Sequence, residues 1–250
     1  MAEFQLIPLR CGHVVNHAVA SFLYRTAGDA RIDAPCIAWL LRSAERTVLV
    51  DTGPGPRSLA PQYYRPGDAD DLLPLELARH GVDPLAIETV VLTHLHNDHV
   101  GGAGHFPNAT FYVQERELRE AVWPVPFQRP IYEVNQRGRL PAWVRVLDRV
   151  EALDGDSAIL AGIRTVTLPG HTSGSQGVLV DTAAGPHLLP GDLVPLYENW
   201  GASPIPNGNH TDLYAYERSF RRVASLGAKV LPSHDPRIFD HHAYPVAINP

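Results

Sequence analysis

Several features are scarce in this sequence of 250 residues. No apolar run approaches the length of a membrane span. The N-terminus has neither the basic start nor the apolar segment of a secretory signal peptide. The net charge is −6, lysine occurs only at Lys229, and no run of basic residues offers an electrostatic footprint for nucleic acid. These absences predict a cytoplasmic protein that binds neither membranes nor nucleic acid.

Cysteine is also scarce, with only Cys11 and Cys36. We expect two small, apolar, reduced side chains, although a disulfide between them stays open at this point. The hydrophobic content of 44% suits a packed core. Because no linker or shift in composition divides the chain, we expect residues 1–250 to form a single domain.

Histidine, in contrast, is abundant, with 13 residues, and three of them lie within six positions. This cluster directly follows an apolar stretch at 89–93 and precedes a Gly-Gly pair; its members are His94, His96, Asp98 and His99. Side chains alternate along an extended segment, so His94 and His96 lie on one side, while Asp98 and His99 follow the turn. Imidazole and carboxylate groups are ligands for zinc, iron, manganese or cobalt. The spacing predicts two adjacent metal ions.

Three further ligand-type residues stand just after other apolar strands. His171, Asp192 and His234 each follow a predicted strand and are flanked by glycine, proline or serine. Because four strand ends present such side chains, we expect them to meet. Asp51 also ends a strand; it is either a surface turn residue or an acceptor for the ring N–H of a ligating histidine, which would fix that ring's orientation.

Periodicity and turn signals predict an α/β protein. The predicted strands are 5–9, 36–41, 47–50, 89–93, 110–113, 163–168, 177–180, 187–189 and 229–231, and the predicted helices are 70–80, 114–122 and 212–226. The two halves of the chain then form two sheets whose strand ends meet at one edge, with the helices outside.

The segment at about 123–143 is rich in proline and aromatic residues, which excludes regular helix or strand. It is either a packing cap or the wall of an apolar substrate pocket, and we favour the wall. His13, His17 and Phe22 are expected to shape the same pocket. The remaining histidines without strand-end placement are interpreted as surface or local hydrogen-bonding residues; these are His80, His105, His187, His241 and His242.

The complete set of motifs resembles the metallo-β-lactamase-fold hydrolases over nearly the whole chain. The motifs are Asp51-Thr52-Gly53, His94-x-His96-x-Asp98-His99, His171 in Pro-Gly-His-Thr, Asp192 in Gly-Asp, and His234 in Ser-His-Asp. The resemblance implies an αββα sandwich of two mixed β-sheets with outer helices. It also implies that His94, His96 and His171 hold a first metal ion, that Asp98, His99 and His234 hold a second, and that Asp192 bridges the two.

Asp192, the residue expected to bridge the two metal ions, indicates which branch of that superfamily the chain resembles. True β-lactamases of this fold typically lack the bridging aspartate, so Asp192 argues against that activity, and neither cysteine is placed to take over this position. Glyoxalase II-type thioesterases share the seven ligands but usually carry a helical C-terminal extension. The chain is most similar to the N-acyl homoserine lactonases, with supporting matches at Glu198-Asn199-Trp200 and Ser233-His234-Asp235. Those lactonases have a substrate-binding tyrosine where this chain has Pro195, and Tyr197 is the candidate replacement.

The mechanism implied is hydrolysis of a lactone, an N-acyl homoserine lactone or a related cyclic ester, by a hydroxide shared between two divalent ions about 3.5–4 Å apart. Zinc is the first choice of metal. Asp98 is either a pure ligand or also the group that carries a proton to the leaving alkoxide, and Tyr197 is the second candidate catalytic residue. The alternatives are another metal-dependent reaction at the same site (a thioester, a phosphodiester, or sulfur chemistry at a single iron) and a non-catalytic binding protein. The presence of His234, a ligand for a second metal ion, argues against sulfur chemistry at a single iron. Because none of the seven ligands is missing, a non-catalytic binding protein is also disfavoured. A homodimer is possible.

Overall fold

A computed structural model describes residues 3–134 and 138–245. Two β-sheets pack face to face, and the helices cover their outer faces. Among the described residues, no helix is long and apolar enough to cross a membrane.

The first sheet contains six strands in the order of the chain. They are β1 (Gln5–Ala18), β2 (Arg31–Arg42), β3 (Thr47–Val50), β4 (Thr89–Val91), β5 (Thr110–Gln114) and β6 (Val150–Leu153). Strands β1 to β3 are antiparallel, whereas β3 to β6 run parallel, so that the carboxyl ends of β3 and β4 reach the same edge.

The second sheet contains five strands in the order β11-β10-β9-β8-β7. They are β7 (Ser157–Leu160), β8 (Ile163–Thr167), β9 (Gln176–Thr182), β10 (Gly185–Leu189) and β11 (Lys229–Val230). All neighbours are antiparallel except β10 and β11, whose parallel pairing requires a crossover.

The α-helices lie in the connections between strands. They are α1 (Val19–Phe22), α2 (Leu72–Arg79), α3 (Asn97–Val100), α4 (Glu115–Val122) and α5 (Leu213–Ser225). Helix α5 is the crossover between β10 and β11, and the Asp212 side chain caps it by accepting from the N–H groups of Tyr214 and Ala215. Short 3₁₀ turns occupy other connections, including Ala142–Arg149 and Gly191–Leu193.

Alternation along the strands divides the core into layers. In β2, Ala38 and Leu40 face the helices of the first sheet, while Ile37 and Trp39 face the second sheet. On the far side, Phe220 of α5 packs against the outer face of the second sheet. These layers confirm the predicted αββα sandwich of two mixed sheets.

Some predicted elements differ in extent. Strand β1 continues to Ala18 rather than ending at residue 9, with register shifts between Arg10 and Gly12 and between Val14 and His17. Strands β6 and β7 were not predicted, because both are short and half-exposed and therefore lack a buried apolar run. Cys11 and Cys36 are both buried free thiols, so the expectation of reduced cysteines agrees with the structure.

The proline-rich segment at 123–143 divides into a buried and an exposed part, and its residues 135–137 lie outside the described part of the chain. Tyr132 and Trp143 pack into the core between the first sheet and its helices. Trp123 and Phe127 are 82% and 81% exposed. Its role as a substrate wall stays a prediction, as does the homodimer.

Candidate metal centre

The ligand-type side chains converge at one edge of the sandwich, where strands of both sheets end. His94 and His96 follow β4, while Asp98 and His99 lie on α3. The other three come from the second sheet: His171 follows β8, Asp192 follows β10 and His234 follows β11. Six of the seven are buried, and Asp98 is 15% exposed at its side chain. The edge therefore gathers all seven residues that the sequence singled out.

Three histidines form a first triad. The ligand atoms of His94, His96 and His171 lie within 4.8 Å of one another. The Nε2 atoms of His94 and His96 are buried and have no hydrogen-bond partner among the described residues. Burial lowers the pKa of all three imidazoles, reinforced for His94 and His96 by neighbouring histidines. Neutral imidazoles with unused lone pairs are what a divalent cation binds.

A second group forms around the Asp192 carboxylate. Asp192 Oδ1 lies 3.2 Å from His99 Nε2 and 3.1 Å from His234 Nε2, while its Oδ2 lies 3.6 Å from His171 Nε2. Asp98 Oδ2 lies 4.0 Å from His99 Nε2 and 3.8 Å from His234 Nε2. Asp192 thus stands between the first triad and the group of Asp98, His99 and His234.

Electrostatics differ between the two groups. Burial lowers the pKa of His99 and of His234, but the facing carboxylates, Asp192 foremost, outweigh it and raise both pKa values above the usual range. Conversely, burial raises the pKa of Asp192, and the two histidines more than reverse this shift. A cation bound at this position would compete with protons for these two rings, so its affinity would depend on pH.

Asp51 orients one of these rings. Its Oδ2 accepts from His99 Nδ1 and from Thr93 Oγ1, both at 2.8 Å, and its Oδ1 accepts from the Thr93 N–H at 2.7 Å. With Nδ1 donating to Asp51, the ring of His99 is oriented so that Nε2 faces Asp192 and Asp98, where its lone pair would be available to a metal ion in place of a proton. Asp51 itself adopts φ 58°, a conformation that costs a non-glycine residue about 1 kcal/mol. Of the two interpretations of Asp51, the structure supports the hydrogen bond to a histidine and excludes the surface turn.

Residues of α5 and of the connection that precedes it fix two of the seven ligand-type residues, His171 and Asp192, and no sequence motif marks these residues. The carbonyl of Asn209 accepts from His171 Nδ1 at 2.6 Å. Asn207 Nδ2 donates to the carbonyl of Asp192 at 3.1 Å, and the hydroxyl of Tyr216 donates to the same carbonyl at 3.0 Å. These residues lie far from any motif, so only the three-dimensional fold reveals them.

The carboxylate of Asp192 and the ring of His234 are fixed by neighbours as well. Ser233 Oγ donates to Asp192 Oδ1 at 2.7 Å, and His234 Nδ1 donates to the carbonyl of Pro35 at 2.8 Å. Ser233 precedes His234 in the Ser-His-Asp motif, which is a signal that sequence analysis could have used.

Cys36 is a further residue near the second group that the sequence analysis did not identify. Its Sγ lies within 4.8 Å of ligand atoms of Asp98 and His234. Its alternation with Ala38 and Leu40 places it on the helix side of β2, and α3, which carries Asp98, covers that side. No sequence motif marks this approach.

Two of the three predicted pocket residues lie close to the second group. The ring of Phe22 is 5.7 Å from that of His234 and 5.5 Å from that of His17. His13 instead contacts Asp68, with Nδ1 3.4 Å from a carboxylate oxygen. Of the histidines interpreted as surface or local hydrogen-bonding residues, His187 bonds locally, with Nδ1 3.1 Å from the carbonyl oxygen of Gly185. His105 instead pairs at 2.8 Å with Asp71, which is distant in the sequence.

Tyr197, the predicted replacement for the family tyrosine, packs elsewhere. The guanidinium of Arg237 lies 5.0 Å from the centre of its ring, and its N–H donates to Asp235 Oδ2 at 2.9 Å. Within residues 3–134 and 138–245, no hydrogen bond or ring contact joins Tyr197 to one of the seven ligand-type side chains. Its catalytic role stays a prediction, and the packing supplies a structural reason for the residue.

The comparisons with known proteins agree with this geometry. The profile of the Metallo-beta-lactamase superfamily matches residues 32–234. An N-acyl homoserine lactonase AttM of Azorhizobium caulinodans is 33% identical over 164 residues, which are 62% of this chain and 61% of the relative, so less than two thirds of that relative is matched. The lactonase AiiB of Agrobacterium fabrum is 28% identical over 235 residues, 86% of this chain and 84% of the relative.

A solved structure supports the fold independently. The crystal structure of a quorum-quenching N-acyl homoserine lactone lactonase superposes with a TM-score of 0.79 and covers 99% of both chains at 23% identity. The buried histidine nitrogens without partners and the oxygen and nitrogen donors around Asp192 fit the divalent metal binding that the fold implies. With its profile match, its two mixed sheets and its seven ligand-type residues, this chain belongs to the metallo-β-lactamase superfamily.

Proposed function

We propose that this protein is a metal-dependent hydrolase that opens a lactone ring, an N-acyl homoserine lactone or a related cyclic ester. The observation that carries the proposal is the position of Asp192, whose two oxygens face ligand histidines of both groups. The relatives AttM and AiiB, named as N-acyl homoserine lactonases, favour an ester of this class.

Two divalent ions, zinc first among the candidates, would be held by the seven side chains. The first triad would bind one ion, Asp98, His99 and His234 the other, and Asp192 both. When bound, such ions polarise a carbonyl and supply a hydroxide nucleophile at neutral pH. The contribution of the protein is to fix the donors: Asp51 orients His99, Asn209 orients His171 and Pro35 orients His234.

Asp98 is the candidate for moving the proton. It is the most exposed of the seven side chains, and its Oδ2 stands about as far from His99 as from His234. A carboxylate at the solvent side of the centre can accept the proton of the attacking water and release it to the leaving alkoxide. Asp98→Asn should reduce kcat by about 10²–10⁴-fold. Because a loss of metal would also reduce kcat, metal content is measured in the same samples, and full activity in the variant would exclude the proton role.

A cavity that reaches Asp235, the residue after His234, is suited to the non-reacting part of a substrate. Its volume is about 380 Å³; one wall is apolar and the other is formed by charged residues and a proline. The apolar wall consists of Val19, Leu23, Ile32 and Leu196, and the other wall of Glu198, Asp235, Pro236 and Arg237. Leu196 also packs with Phe22, which contacts His234. We propose that an acyl chain lies here. Filling the cavity with Ile32→Trp should raise KM for long-chain substrates and leave short-chain substrates unchanged; equal effects on both would contradict this placement.

The substrate class is tested with a panel. Purified protein is assayed with a pH indicator against lactones, thioesters, phosphodiesters and β-lactams, and the expected result is fastest turnover of lactones. A preference for another class would overturn the lactone assignment and leave the metal centre standing. Metal analysis of protein purified without chelators should give close to two ions per chain, and a reproducible value of one or less would refute the two-ion centre.

A further inference from the structure

Helix α4 carries a buried carboxylate beneath the loops of the first triad. Glu117 is fully buried and accepts three hydrogen bonds. Its Oε1 accepts from the Leu95 N–H and from the Tyr132 hydroxyl, both at 3.0 Å, and its Oε2 accepts from Thr172 Oγ1 at 2.6 Å.

Each of these donors belongs to a segment that positions a ligand. Leu95 lies between His94 and His96, and Thr172 follows His171 directly. The ring of Tyr132 lies 4.8 Å from the ring of His96. One carboxylate therefore joins the loop after β4 to the loop after β8, which come from different sheets.

The loop after β8 also lies directly on the helix. A Cβ added to Gly174 would stand 2.2 Å from the backbone nitrogen of Glu117, a separation that no real side chain tolerates. Glycine at this position lets the loop carrying His171 approach α4 closely enough for Thr172 to reach the carboxylate. The spacing between the two loops is thus fixed by backbone contact and by three hydrogen bonds.

We propose that Glu117 is a positioning residue of the first triad, which sets the distance between His94 and His96 on one loop and His171 on the other. A buried carboxylate is costly unless hydrogen bonds compensate for its lost hydration, and an apolar side chain would fill the same volume without that cost. The three donors explain why the carboxylate is present here. The inference rests on the proposed function only in that the first triad binds a cation; it requires no particular substrate.

The test uses Glu117→Ala and Glu117→Gln, both combined with His234→Ala, which removes a ligand from the second position and so separates its zinc affinity from that of the first. Glutamine keeps one oxygen for Leu95 and Tyr132, and its amide can donate to Thr172. Zinc affinity, measured by competition with a chromophoric chelator, should fall about 10–100-fold in the alanine variant and stay within about threefold in the glutamine variant.

Two neighbouring glutamates on α4 serve as matched controls. Glu120 accepts from the Ser173 N–H at 3.0 Å, and Glu115 pairs with Arg119 at the surface. Among the described residues, Glu120 therefore bonds to the loop of His171 alone, and Glu115 bonds to neither loop. Glu120→Ala should therefore weaken zinc binding less than Glu117→Ala does, and Glu115→Ala should have no effect.

Further measurements separate positioning from folding. The absorption spectrum of cobalt bound at the first position should change in Glu117→Ala, because the distances between the ligands change. A variant that was only less stable, with the same ligand geometry, would keep the wild-type spectrum. If Glu117→Ala fails to fold, Tyr132→Phe and Thr172→Val each remove one donor and should give smaller losses of zinc affinity. Unchanged affinity in Glu117→Ala, or in both single-donor variants, would overturn the inference. Failure of the wild-type protein to bind zinc at the first triad would instead overturn the proposed metal centre.

Discussion

Replacing Asp51 by asparagine tests whether one hydrogen bond controls metal binding at the second group. The asparagine oxygen can keep the bond from the Thr93 N–H, but its NH₂ then faces the Nδ1–H of His99, where Asp51 Oδ2 now accepts at 2.8 Å. The two donors cannot bond unless His99 moves its proton from Nδ1 to Nε2. That proton would occupy the atom that faces Asp192.

The expected loss follows from this tautomer conflict. Substitution of a residue that orients a ligating histidine typically lowers metal affinity about 10–100-fold, which is about 1.4–2.8 kcal/mol. Asp51→Asn should therefore bind one zinc ion as the wild type does and the other about 10–100-fold more weakly, in titrations against a chromophoric chelator. Asp83→Asn is the control, because Asp83 also accepts a backbone N–H, from Leu85 at 2.9 Å, but at the exposed surface. Two unchanged affinities in a correctly folded Asp51→Asn protein would refute the reasoning.

Four further outcomes are expected. Chelation should lower the melting temperature, since an ion present at 100 times its Kd stabilises the folded state by about 2.7 kcal/mol; an unchanged melting curve would contradict metal binding to the folded protein. Gly174→Ala should destabilise by more than about 2 kcal/mol in denaturant titrations, because its Cβ meets the Glu117 backbone, whereas Gly104→Ala, with open space around it, should be close to neutral. Burial raises the pKa of Glu117 to about 7, because desolvation outweighs the three hydrogen bonds that favour the carboxylate. Ionisation of the buried group therefore lowers the free energy of unfolding as pH rises, by nothing below about pH 4.5 and by roughly 3 kcal/mol above about pH 7. Glu117→Gln should remove that part of the pH dependence, measured as unfolding free energy at several pH values, and a slope equal to that of the wild type would contradict it. Tyr197→Phe should leave kcat and KM unchanged if the tyrosine only packs against Arg237, whereas a large fall in kcat would support the predicted catalytic role.

The convergence of the seven ligand-type residues was predictable because their signals are local. A strand that ends in His, Asp or a Gly-Asp pair delivers that side chain to the sheet edge wherever the strand lies, so His94, His171 and Asp192 could be assigned without knowing the packing. The same locality predicted the hydrogen-bonding role of Asp51 as one of two alternatives. The sandwich followed from strand order and from the resemblance of the motifs.

The residues that hold the ligands were not predictable in this way. In the sequence, Glu117 is indistinguishable from the other charged residues of an amphipathic helix. Asn207 is likewise indistinguishable from the other polar residues of a long connection. Cys36 approaches Asp98 and His234 because α3 covers the helix side of β2. The role of each of these residues depends on which segments lie side by side in the folded protein. The spacing of residues within a motif carries no information about that arrangement.

The ligand-type residues come from both sheets, so a metal ion bound among them would cross-link the two sheets. An ion shared by His94 and His171 closes a chain segment of 77 positions, from residue 94 to residue 171. In the chain-entropy description of cross-links, a closure of this length restricts the unfolded chain by on the order of 4 kcal/mol. The ions would thus act as a reversible cross-link at the edge of the sandwich where the ligand-type residues meet. In a metal-poor environment the protein would lose the proposed activity and the cross-link between its two sheets at the same time. The stability of the fold would therefore depend on the supply of metal.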